Sequence, residues 1–196
     1  PAAAPEEFTL TVHAATGGSV SPTGGTYTTG TEVPVTATAS QYFHFVSWTG
    51  DVQGTVNPTN LVVTSNLTVW AVFAETTYTN DTPEAWLDGY QLPTSDAGAL
   101  GDTDGDGMLA WEEFIAGTIP TNGASRLWVT NHLQQAGGTL LRWPVVTGRT
   151  YHIHHTLSLP VSFTQLATNV TGGVFTDTVH GAEQSGFYRI HVERNP

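Results

Sequence analysis

Over residues 8–75 apolar and polar residues alternate with a period of two, the signature of strands with one buried face. The runs 8–15 (FTLTVHAA), 32–39 (EVPVTATA), 43–48 and 67–73 all follow it, with Tyr27 between them, and Gly/Pro-rich turns such as GGSVSPTGG separate them. No stretch of this block has a helical period, so it predicts a small all-β module. The pattern then changes. Thr82-Pro83-Glu84 reads as a helix start, with a hydroxyl cap, Pro at the first position and an acid in the first turn. That helix should reach about Tyr90 with Trp86, Leu87 and Tyr90 on its apolar side. After a polar loop comes DTDGDGMLAWEE, then a short helix through Ala116 closed by Gly117 and Pro120. From residue 126 onward the period of two returns, predicting strands over 126–133, 139–146, 150–157, 173–176 and 186–192.

The expected fold is therefore mainly β: two small β modules joined by a short helical, EF-hand-like calcium-binding segment. The boundaries that follow are a tail over 1–7, a β module over 8–75, a helix–loop–helix linker over 76–125 and a β-sandwich over 126–196. In the sandwich, Trp143, Tyr151, Ile153 and Tyr188 alternate as core residues should. Trp48 is the corresponding core aromatic of the first module.

Charge sharpens this division. The formal net charge is -12, with 17 acids against five basic residues, all of them Arg. Residues 1–80 carry five acids and no base, 81–125 nine acids and no base, and 126–196 three acids and the five Arg. So acidic a chain lacks the cationic footprint of a nucleic-acid binder. Its hydrophobic content of 39% is enough to build cores, and no run suits membrane insertion. There is no Cys, so no disulfide can staple the modules. A start at Pro1 without a signal peptide fits a piece of a longer precursor.

The acids of the middle block are arranged for chemistry. Calcium takes six to eight oxygen ligands, and a twelve-residue loop supplies them from positions 1, 3, 5, 7, 9 and 12. Asp102, Asp104 and Asp106 occupy positions 1, 3 and 5, and Gly107 supplies the turn at position 6. Met108 offers its backbone carbonyl at 7, Ala110 leaves position 9 to water, and Glu113 provides a bidentate carboxylate at 12. Three Asp within five residues repel one another, and Ca2+ is the simplest counterweight. A single loop with no partner loop suits a structural ion better than a sensor.

Three runs of residues resemble known families. The order GGSVSPTGGTYTTGTEVPVTATAS, FHFVSWTGDVQGTVNPTNLVV and NLTVWAVF resembles the divergent internalin-B-type repeat of bacterial surface and secreted proteins, which implies a spacer or adhesion module. The calcium loop with its AGTIPTN exit is similar to single dockerin-like and thrombospondin-type-3 loops, with Ile119 in place of their exit Asp. The last block, WPVVTGRTYHIHHTLSL to GFYRIHV, resembles a fibronectin-III-like C-terminal module of large secreted proteins of Verrucomicrobia-like bacteria. Together the resemblances imply a secreted or cell-surface bacterial protein.

Ligand recognition is expected on the β faces. Alternation over 126–133 puts Leu127, Val129 and Leu133 inward and Arg126, Trp128, Thr130 and His132 outward. Trp128 flanked by Arg126 and His132 suits a sugar, including an anionic one. Trp70 points away from the core face of Val69, Ala71 and Phe73 and is a second such ring. His152 and His154 share a strand face beside His155, where a transition metal could bind with His132 or His191 from across the sheet; surface histidines are the plainer reading. No nucleophile elbow, zincin helix or phosphate loop occurs, so no catalytic residue is assigned.

The expected function is a non-catalytic, calcium-binding accessory region of a secreted polysaccharide-active protein. It would be a monomer that targets a catalytic domain of the same parent chain to polysaccharide. The alternative is a spacer or adhesion stalk that calcium only rigidifies.

Overall fold

The computed structural model describes residues 4–160, 162–180 and 186–195. The chain is mainly β and divides into two compact units, one formed by residues 1–78 and 83–85, the other by 79–82 and 86–196.

The first unit carries seven strands: β1 (Glu7–Ala14), β2 (Gly18–Ser21), β3 (Gly24–Thr28), β4 (Thr31–Ala39), β5 (Phe43–Gly50), β6 (Thr59–Val63) and β7 (Leu67–Glu75). Four pair in the order β3-β1-β7-β5 and three in the order β2-β4-β6. The β1–β7 pairing is parallel and the rest are antiparallel. Alternate residues meet in one core: Leu10 and Val12, Val33, Val35 and Ala37, Trp48, Leu61 and Val63, Val69, Ala71 and Phe73. The alternation in the sequence is thus the alternation of the pleat. β2, β3 and β6 are short and Gly- or Asn-interrupted, so their period is weak in the sequence.

The distinctive residues of this unit hold the fold. Trp48 is buried and donates its ring N–H to the Val56 carbonyl at 2.9 Å. Gly50 sits at φ 98°, where a Cβ would lie 2.4 Å from the Thr68 carbonyl oxygen, so only glycine fits. Asp51 accepts the Thr68 N–H at 2.7 Å. Asn57 imitates a strand partner, accepting from Ala37 N–H at 2.9 Å and donating to Ala37 C=O at 2.7 Å.

Between the units the chain runs through β8 (Thr77–Tyr78), a 3-10 turn (Thr79–Asp81) and β9 (Thr82–Pro83). Here the expected helix start is corrected. Asn80 and Asp81 are left-handed at φ 54° and 57°, and the Thr82 hydroxyl donates back to the Thr79 carbonyl instead of capping a helix. Pro83 therefore stays extended and α1 begins one residue later (Glu84–Gly89).

In the second unit α2 (Asp96–Ala99) and α3 (Ala110–Ala116) follow. Ser95 caps α2 by accepting the Gly98 N–H, and Asp96 accepts both the backbone N–H and the hydroxyl of Thr79. Leu87, Leu92, Ala99, Ala110, Phe114 and Ala116 are buried, and Trp86 packs edge-on against both Tyr90 and Phe114.

Six strands complete the unit: β10 (Asn131–Gln135), β11 (Gly138–Arg142), β12 (Arg149–Thr156), β13 (Thr164–Val170), β14 (Val174–Asp177) and β15 (Phe187–Arg194). They form two three-stranded antiparallel sheets, β10-β11-β14 and β13-β12-β15. Leu141, Trp143, Tyr151 and Ile153 are the buried centre, with Phe175, Tyr188, Ile190 and Val192 packed around them. Strand β13 escaped the sequence reading, since TQLATNV has few apolar residues and its burial is only partial.

Helix α3 is tied to this β module through its last carbonyls. Arg149 donates to the carbonyls of Phe114 (2.7 Å) and Ile115, and Arg194 lies 4.2 Å over the Phe114 ring. A cation at a helix C-terminus meets both the unpaired carbonyls and the negative end of the dipole. Burial, then the neighbouring Arg194 charge, lowers the Arg149 pKa, yet the guanidinium stays charged.

Candidate calcium and ligand sites

The loop between α2 and α3 is shaped by its own carboxylates. Asp102 accepts from the N–H groups of Gly105 (2.8 Å), Asp106 (3.2 Å) and Gly107 (3.0 Å). Asp104 accepts from Asp106 N–H, and Asp106 from Met108 N–H. Gly105 and Gly107 take positive φ, 76° and 94°, which lets the chain wind around the three acids. At the loop's exit Glu112 accepts the Leu109 N–H at 2.8 Å and so closes the first turn of α3.

That winding brings one oxygen each from Asp102, Asp104 and Asp106 within 4.8 Å of one another. Two further facts bear on what the inside of the loop could hold. Asp104 Oδ2 and Asp106 Oδ2 are buried without a hydrogen-bond partner. Glu113, 1% exposed, sits at the twelfth position and accepts the Thr118 hydroxyl on its Oε1. Burial foremost, then the charge of Asp104 and, less, those of Asp106 and Asp102, pushes its pKa up to about 7, against a lowering by the Thr118 hydrogen bond. A buried carboxylate oxygen is costly without a cation near it; Arg126 Nε stands 3.4 Å from Asp106 Oδ2, and Asp104 Oδ2 has no hydrogen-bond partner. An all-oxygen donor set with a flexible loop fits calcium.

The expected glycan contacts separate. Residues 126–130 are not in a strand, because β10 begins only at Asn131. The inward positions Leu127 and Val129 do pack on the core, but Leu133 is 48% exposed, which corrects its expected place. Trp128 is 60% exposed and lines a shallow concavity with Ala124 and Arg126. Arg126 turns toward the calcium loop: its Nε lies 3.4 Å from Asp106 Oδ2 and donates to the Gly123 carbonyl. His132 lies apart, beside the Tyr188 ring at 5.9 Å. Trp70, in the first unit, is 43% exposed and stacked on His13 with ring centres 4.3 Å apart.

The three histidines of β12 also part. His155 faces inward, stacked on His180 at 4.2 Å. His180 and Tyr188 both bond the buried Asp177 carboxylate, at 2.8 and 2.9 Å. Burial raises the Asp177 pKa, but the bonds from His180, Tyr188 and Val179 outweigh it and hold the carboxyl below its usual range. His154 has its pKa lowered by burial first and by nearby Arg189 next. His152 pairs across the sheet with His191. Of the two His named as partners from across the sheet, His191 stands opposite His152 and His132 does not; neither Glu193 nor the Asp177 cluster was legible in the sequence.

The first unit is by its architecture a small all-β repeat module, with the Trp48–Gly50–Asp51 turn and Asn57 as internal ties. Residues 8–77 match the family model described as the divergent InlB B-repeat domain, a bacterial repeat. No curated protein and no solved structure matches the chain. Among the described residues no helix is long and apolar enough to cross a membrane. Both facts are compatible with an extracellular or surface protein.

Proposed function

We propose that this chain is a calcium-binding, non-catalytic accessory region of a secreted or cell-surface bacterial protein. The observation that carries the reading is the loop 102–113, where Asp102, Asp104 and Asp106 bring one oxygen each within 4.8 Å of one another, Asp104 Oδ2 is buried without a hydrogen-bond partner, and the buried Glu113 feels the charge of all three. Asp102, Asp104, Asp106 and Glu113 would hold the ion by their carboxylates and Met108 by its carbonyl. The ion supplies charge neutralisation and a fixed loop geometry, so its binding energy becomes folding energy of the segment. The exit turn is of the dockerin and thrombospondin kind, and the two three-stranded sheets behind α3 are read as a fibronectin-III-like module.

For the accessory role we favour polysaccharide binding centred on Trp128, an exposed ring in a concavity whose Arg126 is held by the calcium loop's own Asp106. An exposed aromatic face beside a cation suits a sugar ring and an acidic substituent. Calorimetry should find one calcium in the wild type and none in Asp104→Ala. If both fail to bind, the calcium reading is wrong. Affinity electrophoresis across neutral and acidic polysaccharides, with calcium present, should show retardation that Trp128→Ala abolishes. Retardation by none of them leaves the spacer or stalk as the function.

A further inference from the structure

A cluster of two imidazoles and a carboxylate lies on one face of β12 and β15. Strand register places His152 directly opposite His191, and the pleat puts Glu193 on the same face as His191, two residues on. Their side chains converge. His152 Nε2 is 3.4 Å from Glu193 Oε2, and His191 Nε2 is 3.4 Å from Glu193 Oε1. The two imidazole ring centres are 5.9 Å apart.

These contacts are poorly explained as hydrogen bonds alone. At 3.4 Å both are longer than a charge-assisted pair, which closes to about 2.7–2.9 Å. His152 Nε2 is buried and has no hydrogen-bond partner, although its side chain is only 14% exposed. The carboxylate thus lies between two ring nitrogens and is tightly bound to neither.

We propose that His152, His191 and Glu193 form a binding site for a divalent transition ion of the zinc type. Two imidazole nitrogens and one carboxylate oxygen are a donor set that zinc accepts, with Zn–N of about 2.0–2.1 Å. Two rings bound through Nε2 to one tetrahedral zinc hold their centres about 5 Å apart. Ring centres at 5.9 Å stand wider than that, so the exposed His191 and Glu193 side chains must turn inward to close on the ion. Calcium, which takes oxygen ligands, would not compete for the imidazoles. His191 and Glu193 are both more than half exposed, so the fourth coordination position faces solvent. Of the other groups here, Arg189 is directed over the Phe163 ring at 4.8 Å and Thr150 bonds Asn195, while Asp81, Trp111 and Ile115 line the concavity beside His191 and Glu193. His154 shares the face, and its Nδ1 is buried without a hydrogen-bond partner.

The test is zinc titration of the whole chain by calorimetry, at pH 7.5 and saturating calcium. One zinc per chain is expected. His191→Ala and His152→Ala should each weaken it beyond the about 10- to 100-fold loss that follows removal of outer-shell support. Glu193→Gln should weaken it less, and Asp104→Ala and His132→Ala should leave it unchanged. Should His152→Ala misfold, His191→Ala decides alone, since His191 is exposed. Cobalt substitution adds a signature: the intense visible bands of a tetrahedral nitrogen–oxygen site, lost in His191→Ala. No zinc binding, or binding that survives both His variants, overturns the proposal.

Discussion

Glu113 allows the calcium reading to be tested without measuring calcium affinity. In the ion-free fold its carboxyl is raised from 4.5 to about 7. Such a shift corresponds to about 3 kcal/mol when integrated over the full window. Its sign follows from proton counting. Between pH 4.5 and 7 the folded chain keeps a proton that the unfolded chain has released, so stability falls as pH rises. Below 4.5 both states are protonated and the effect vanishes; above 7 the penalty is complete. An ion among the four carboxylates reverses the balance, since it favours the charged form and expels the proton.

The perturbation is Glu113→Gln, which keeps the shape and can still accept the Thr118 hydroxyl. In EDTA at pH 8 the variant should be more stable than wild type by up to about 3 kcal/mol, or about 10 °C in melting temperature for a domain of this size. At pH 5 the two should nearly coincide. With calcium at pH 8 the order should invert, because the variant loses the bidentate ligand. The assay is thermal unfolding by circular dichroism at both pH values, with EDTA and with calcium. His154, whose pKa is lowered mainly by burial, gives the opposite trend at acid pH, but it is common to both proteins and cancels in the difference. A variant equally destabilised with and without calcium would refute the argument. It would show that Glu113 serves packing and not the ion.

Two further predictions bear on the β units. Trp48→Ala removes a buried ring and its bond to the Val56 carbonyl, and should cost about 3–5 kcal/mol in urea unfolding of the first unit. Calcium binding by the same variant should be unchanged, since the loop lies in the other unit. Asp177→Ala removes the acceptor for Val179 and His180 N–H, the His180 ring and the Tyr188 hydroxyl, and should cost about 3 kcal/mol. Because the folded carboxyl lies below its ordinary value of 3.8, its stabilisation is present above that pH and lost as pH falls through the folded value. Acid titration of the variant should therefore show a smaller loss of stability below pH 4 than wild type, and an unchanged acid limb would count against the assigned network.

What the sequence disclosed depended on how local the deciding physics was. Strands such as β4, β5 and β7 have strong apolar alternation, so their core positions Val33, Val35, Trp48, Val69 and Ala71 could be read directly. The strand β13 could not, because a half-exposed edge needs little apolar content. The start of α1 went wrong by one residue for a related reason. Thr82 and Pro83 have good cap chemistry, but two left-handed residues before them commit the Thr82 hydroxyl to Thr79. Residues 126–130 show the reverse case: alternation of burial persists without a strand, since Leu127 and Val129 are held by the core while β10 begins only at Asn131.

The sites follow the same division. Every ligand proposed for calcium lies within twelve consecutive residues, so their spacing was open to reading in the sequence. The His152–His191–Glu193 site spans 42 positions, and only the register of β12 against β15 brings it together. Arg126 falls between the two cases. Its outward position beside Trp128 was legible, but its neighbour Asp106 stands twenty residues earlier and is reached through the fold of the loop. That contact changes what Arg126 can do. A guanidinium held by a calcium-loop carboxylate is a fixed cation and not a free one, so the Trp128 concavity inherits its order from the loop. Glycan affinity should then fall when calcium is chelated, even though no sugar oxygen need touch the ion. An affinity indifferent to chelation would separate the two sites and leave Trp128 acting alone.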